Sequence, residues 1–123
     1  MGPKKRTVFH EVVKDAEHFE EVIHEDFGKM AVIDCHLEWC GPCVAMESNY
    51  PALFFLIDDP DTRISFWQCA EGNLPEIMKE KLKLTCVPRF LIYEGGQLRQ
   101  EISGARYVDL SSGIEEHIPK TDE

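Results

Sequence analysis

Apolar residues recur along this chain with spacings that alternate between those of strands and those of helices. Thr7 to Val12 is short, β-branched and aromatic, which predicts a strand. Asp15 is placed to cap a helix whose apolar positions, Phe19, Val22, Ile23 and Phe27, keep helical spacing. Met30 to Cys35 is apolar without alternation, as in a strand buried on both faces, and Asp34 is the exception inside it. A long, mostly apolar helix is predicted from Cys43 to Ile57, with Pro42 in its first turn and Pro51 kinking or restarting it. Arg63 to Cys69 reads as a third strand. Asn73-Leu74-Pro75 starts a helix carrying Ile77, Met78 and Leu82, and Phe90 to Tyr93 is a fourth strand. Gly95-Gly96 supplies the positive φ of a hairpin turn into Leu98 to Ser103. Leu110, Ile114 and Ile118, spaced by four, mark a closing helix that Gly113 weakens by about 1 kcal/mol relative to alanine.

The order β-α-β-α-β-α-β-β-α predicts an α/β fold: a mixed sheet with helices on both faces, parallel where crossovers link the strands and antiparallel at the terminal hairpin. No repeat, low-complexity tract or linker interrupts it. One domain is expected over residues 7–118, preceded by a solvated arm at 1–6 and followed by a polar tail at 119–123.

Composition narrows the function. A chain of 123 residues can hold a core without metal or disulfide staples, so its five cysteines need another explanation. A formal charge of −10 argues against binding a phosphate backbone or an anionic membrane surface, leaving other proteins as expected partners. The longest apolar run, Ala52 to Ile57, is far short of a bilayer span, and the basic start has no apolar segment behind it, so no secretory signal is expected. An odd cysteine count in such a chain points to a reducing, cytoplasmic setting and to thiols with chemical roles.

Cys40 and Cys43 lie three residues apart at a strand-to-helix junction, with both sulfurs on one side of the first helical turn. They can close a small disulfide or act in sequence. Unpaired N–H groups and partial positive charge at the helix start favour a thiolate on Cys40 over one further along, making Cys40 the nucleophile and Cys43 the resolving thiol. Half of a zinc site is the alternative. It would need four ligands, and no second close pair exists: Cys69, Cys86 and His36 are scattered, so no metal is expected.

Trp39-Cys40-Gly41-Pro42-Cys43, Asp34 six residues before the first cysteine, Val87-Pro88, the Gly95-Gly96 turn and Gly104-Ala105 together resemble the thioredoxin family over about residues 7 to 118. The resemblance implies a thioredoxin fold, with a central mixed sheet of about five strands flanked by about four helices. It implies protein thiol-disulfide exchange without a bound cofactor, the Cys40–Cys43 disulfide being reduced through a thioredoxin reductase. Asp34 matches the buried carboxylate that exchanges a proton with the resolving cysteine, and burial is expected to raise its pKa toward working pH. The alternative is a strand aspartate with an ordinary hydrogen-bond partner. Pro88 matches the family's cis-proline, which leaves the preceding backbone at Val87 free to pair with an extended substrate. Trp39 would shield the cysteines, although packing alone also explains a tryptophan. By the same resemblance Gly41 and Pro42, with Trp39, would contact the bound substrate. Gly104 and Ala105 would border the peptide groove, which a plain turn explains nearly as well. Cys86 resembles a cysteine beside the active surface of animal cytosolic thioredoxins, a regulatory thiol through which two monomers could pair. Cys35 and Cys69, inside apolar strands, read as inert core.

The chain also departs from the family pattern. Val44 follows the motif where Lys or Arg is usual, Arg89 follows Pro88 where threonine is usual, and the third strand has no lysine to partner Asp34. Ser48 stands where the family's helix proline lies, Pro51 coming three residues later. Val32-Ile33-Asp34, Ala45-Met46 after the motif, and Cys86-Val87-Pro88-Arg89-Phe90-Leu91 are similar to the thioredoxin modules of flagellar outer-arm dynein. Two functions are therefore expected in competition. One is a free reductant of varied protein disulfides. The other is a redox-active light chain docked on dynein heavy or intermediate chains in the axoneme.

Overall fold

The buried run at Met30–Cys35 becomes the middle of a sheet. The computed structural model of the chain describes residues 9–37, 49–85 and 87–119. Its elements are β1 (Glu11–Val12), α1 (Ala16–Ile23), β2 (Met30–His36), α2 (Tyr50–Phe55), α3 (Pro60–Arg63), β3 (Ile64–Ala70), α4 (Glu76–Leu82), β4 (Arg89–Glu94), β5 (Gln97–Ser103) and α5 (Tyr107–His117). The strands form one five-stranded sheet in the order β1-β3-β2-β4-β5. β1 and β2 both run parallel to β3. β4 runs antiparallel to β2 and to β5.

Because β2 is paired on both edges and covered on both faces, it has no solvent side to alternate toward. Its even positions Met30 and Val32 join Phe66, Phe90 and Ile92 in a core closed by Tyr50, Leu53 and Phe54 of α2 and by Leu110 and Ile114 of α5. Its odd positions Ala31, Ile33 and Cys35 face Phe19 and Val22 of α1, Trp67 of β3 and Leu82 of α4. Helices thus cover both faces, as the element order predicts.

Several expectations need correction. β4 was expected parallel, as a crossover strand, yet it pairs antiparallel with β2. The helix before it has only seven residues. At 1.5 Å per residue it rises about 10 Å, under half the length of β3, and the chain re-enters the sheet at the end it left. The first strand is confined to Glu11–Val12, because Phe9 instead packs its ring on Phe54 and Phe55 at centroid distances of 5.4 Å. Thr7 and Val8 lie outside the described residues. Asp15 caps α1 as predicted, accepting from the His18 N–H at 2.7 Å, but the helix stops at Ile23 and Phe27 sits in a 3₁₀ turn, Glu25–Phe27. Of the apolar residues on the predicted third helix, Ile77 is 66% exposed on α4, whereas Leu82 is buried. Pro51 stands in the first turn of α2, so the described helix starts beside it. Five α-helices are described rather than about four, since Pro60 starts the short α3 after Asp59 at φ 54°.

The hairpin turn forms as expected, with Gly95 at φ 62° and Gly96 at φ 80°. Gly113, read as a weakness of the last helix, has a packing reason. A Cβ there would stand 3.0 Å from Ile92 Cδ1 and 2.8 Å from Gln100 Oε1, so its absence lets α5 lie close on the sheet.

Candidate functional site

Asp34 lies near the end of β2, on the face covered by α2, and is fully buried. The Tyr50 hydroxyl, at the start of α2, donates to Asp34 Oδ2 at 3.1 Å. Tyr50 is itself 1% exposed; its ring stacks on Phe66 at 5.1 Å and 17°, with the His10 ring edge-on at 5.6 Å. A donor of this kind favours the charged carboxylate, opposing the desolvation that favours the protonated acid. Sequence reasoning missed Tyr50. The signal available was a hydroxyl-bearing aromatic at the head of an apolar helix, in a chain whose third strand lacks the expected lysine.

The second part of the site is a surface. Gly104, at φ +99°, donates its N–H to the Pro88 carbonyl at 2.8 Å and lies beside the Val87 side chain. Val87 is 44% exposed and Ala105 is exposed. Val87, Pro88, Gly104 and Ala105, four of the residues expected to meet substrate, are therefore contiguous. No cis peptide bond occurs among the described residues, so the Val87–Pro88 bond is trans where the resemblance implied cis. Trans is the lower-energy form of an X–Pro bond by about 0.5–1 kcal/mol.

Trp39, Cys40, Gly41, Pro42 and Cys43, with Val44 and Ser48, lie outside the described residues, as does Cys86.

Cys35 and Cys69 are register partners on β2 and β3, both fully buried with free thiols. Burial pushes the Cys69 thiol up to about 12. Burial first, then the Cys69 and Asp34 charges, push the Cys35 thiol well above its ordinary value. Both are poor nucleophiles near neutral pH, consistent with core packing. Arg89 pairs with Glu101 at 2.6 Å and, through the Cys35–Arg89 register, sits on the face opposite Asp34. Among the described residues no group of three His, Cys, Asp or Glu could hold a metal ion, and no helix is long and apolar enough to cross a membrane.

The thioredoxin family profile matches residues 10–116. The chain belongs to the thioredoxin family. It is 31% identical over 103 residues to the chloroplast thioredoxin F1 of Arabidopsis thaliana, covering 82% of this chain and 54% of that protein. It thus spans about half the length of this relative. It is 28% identical over 106 residues to the 14 kDa light chain of the flagellar outer-arm dynein of Chlamydomonas reinhardtii, covering 86% of this chain and 78% of that one. The crystal structure of Fasciola hepatica thioredoxin superposes with a TM-score of 0.68 at 28% identity, over 87% of this chain and 98% of that one. Thioredoxins in general are disulfide reductases.

Proposed function

We propose that this thioredoxin-family chain is a protein thiol-disulfide oxidoreductase in which Cys40 attacks and Cys43 resolves. The observation that carries the reading is the Cys40-Gly41-Pro42-Cys43 motif between β2, which ends beside a fully buried Asp34, and α2, which supplies that carboxylate's donor. The Cys40 thiolate attacks one sulfur of a partner disulfide and the other leaves as a thiolate, forming a mixed disulfide. Asp34 takes the Cys43 proton. The Cys43 thiolate then attacks the Cys40 sulfur and the partner's second sulfur leaves as a thiolate; it takes the proton back from Asp34, the first having taken one from solvent, so the partner departs with both electrons as a dithiol while Cys40 and Cys43 are oxidised to a disulfide. A thioredoxin reductase supplies the two electrons that return them to the dithiol, and this chain itself carries no bound cofactor. Trp39, Gly41, Pro42, Val87, Pro88, Gly104 and Ala105 meet the extended substrate, and the chain works as a monomer or as a dimer joined through the regulatory thiol of Cys86.

A second reading is favoured by the similarity to the dynein light chain together with the departures at Val44, Ser48 and Arg89. Here the same exchange is confined to neighbours within a motor complex, and the chain works at the axoneme rather than free in the cytoplasm.

Purified protein is expected to reduce insulin with dithiothreitol present, Cys40→Ser to abolish exchange, and Cys43→Ser to arrest it at the mixed disulfide. Failure of the wild type in this assay overturns the first reading. Partners captured by Cys43→Ser separate the two: many unrelated proteins support a general reductant, and one dominant dynein chain supports the subunit.

A further inference from the structure

We infer that Arg106 is a specificity-determining residue, its guanidinium engaging an acidic side chain of the partner protein beside the disulfide to be exchanged. The inference rests on the oxidoreductase reading for the partner's disulfide, and on described residues alone for the surface.

Arg106 stands just before α5 and borders the apolar surface of Val87, Pro88, Gly104 and Ala105. A Cβ placed on Gly104 would lie 3.7 Å from Val87 Cγ1, 3.6 Å from Arg106 Cγ and 3.8 Å from Arg106 Cδ, so both side chains lie against the same glycine. The Arg106 N–H donates to the Gly104 carbonyl at 2.9 Å, which fixes the turn. A long cationic side chain laid with its stem on apolar surface keeps its head in water. The Arg106 side chain is accordingly 67% exposed.

Its charge is only loosely engaged. Arg106 Nε pairs with Asp109 Oδ2 at 2.6 Å, in the first turn of α5. A guanidinium carries five N–H donors, more than one carboxylate can fill. An ion pair this exposed contributes little, because water competes for both charges. Asp109 also keeps the favourable field of the helix start when the arginine turns away. The pair is therefore a resting arrangement that an incoming carboxylate can share or replace, and a planar guanidinium suits a carboxylate better than an ammonium does. Arg89 of β4 is held differently: its side chain is 19% exposed and pairs with Glu101 at 2.6 Å. Of these two arginines, Arg106 is the one a partner can reach. The whole chain carries a formal charge of −10, which repels acidic partners. A cation at the edge of an apolar surface marks the place where a partner's acidic group is favoured, and so sets which way round the partner lies.

The test uses the full chain and two synthetic peptides, each with one internal disulfide flanked on both sides by glutamate or by glutamine. Affinity for the oxidised chain is read by NMR titration, and kcat/KM for the reduced chain by the appearance of peptide thiols. The quantity compared is the ratio of the glutamate to the glutamine peptide within each protein, so a loss of folded protein cancels. Arg106→Gln is expected to lower this ratio about two- to fivefold in both readouts, the size of an exposed ion pair. Asp109→Asn, which removes the competing carboxylate, is expected to raise it. Arg99→Gln makes the same change in net charge within β5 (Gln97–Ser103). It lies about 13 Å short of that strand's end, beyond the screening length of about 8 Å at physiological salt, and should leave the ratio unchanged. Equal ratios in wild type and Arg106→Gln overturn the inference, as does an equal loss in Arg99→Gln, which marks net charge alone. A wild type that binds with this preference and reduces neither peptide overturns the oxidoreductase reading, while Arg106 keeps its acidic partner.

Discussion

The two glycines of the β4–β5 turn invite a matched experiment, because they share a backbone conformation and differ in the space around them. Gly95 and Gly96 sit at φ 62° and 80°. An added Cβ at Gly95 would find only the Arg99 guanidinium at 3.5 Å, an ordinary contact with a flexible side chain. At Gly96 it would meet Glu25 Cβ at 2.9 Å, Glu25 N at 3.0 Å and Glu25 Cα at 3.1 Å, two of them backbone atoms of the 3₁₀ turn after α1. Gly95→Ala therefore carries mainly the left-handed backbone strain, partly offset by the smaller entropy of the unfolded chain, for a net loss of about 1 kcal/mol. Gly96→Ala adds an overlap that only backbone movement relieves, worth about 1–3 kcal/mol more. Asparagine, which tolerates positive φ, should leave position 95 nearly unchanged and still be costly at position 96. Urea denaturation followed by far-UV circular dichroism, with midpoints compared at common slope, reads these differences. Equal losses at the two positions would refute the close approach of the hairpin to the Glu25 turn.

Two further outcomes are expected. Asp15→Ala removes the side-chain acceptor of the His18 N–H and should cost about 1 kcal/mol in the same denaturation assay, with Asp15→Asn nearly neutral. The Cys69 thiol, raised from 9.0 to about 12 by burial, binds its proton more tightly in the native state than in the unfolded one. Its contribution is complete below about pH 9 and is lost as pH rises toward 12, at up to about 1.4 kcal/mol per unit. Cys69→Ala should flatten the alkaline fall in stability; a slope equal to that of the wild type would contradict it.

Much of the fold was legible because the signals were local. An unbroken apolar run marked the central strand, a capping aspartate marked the start of α1, and paired glycines marked the hairpin. What escaped notice depends on contacts distant in sequence. The direction of β4 is set by where a short helix delivers the chain, and strand composition is the same in either direction. Ile77 has helical spacing from its apolar neighbours, but spacing cannot say that α4 turns that flank outward. Gly113 looks unfavourable as a helix residue and makes sense only beside Ile92 of a strand folded against it. At the site, Asp34 stood out as one acid among apolar residues. Its partner Tyr50 lies 16 residues on, across a sheet-to-helix contact that no periodicity encodes.

The two margins of the sheet bear on how the protein behaves when crowded. A long, flat outer strand offers unpaired N–H and C=O groups on which another molecule can grow, the first step of edge-on aggregation. On one margin β1 is two residues long, too short to serve as a template. On the other, β5 runs for seven residues, but it carries Arg99 and Glu101, tied back to Glu94 and Arg89 of β4, and its pairing is interrupted by a register shift at Ile92/Tyr93. An approaching strand would have to desolvate those ion pairs and follow an irregular edge. Both margins of the sheet thus resist edge-on growth, and crowding alone gives neighbouring copies no open strand to extend.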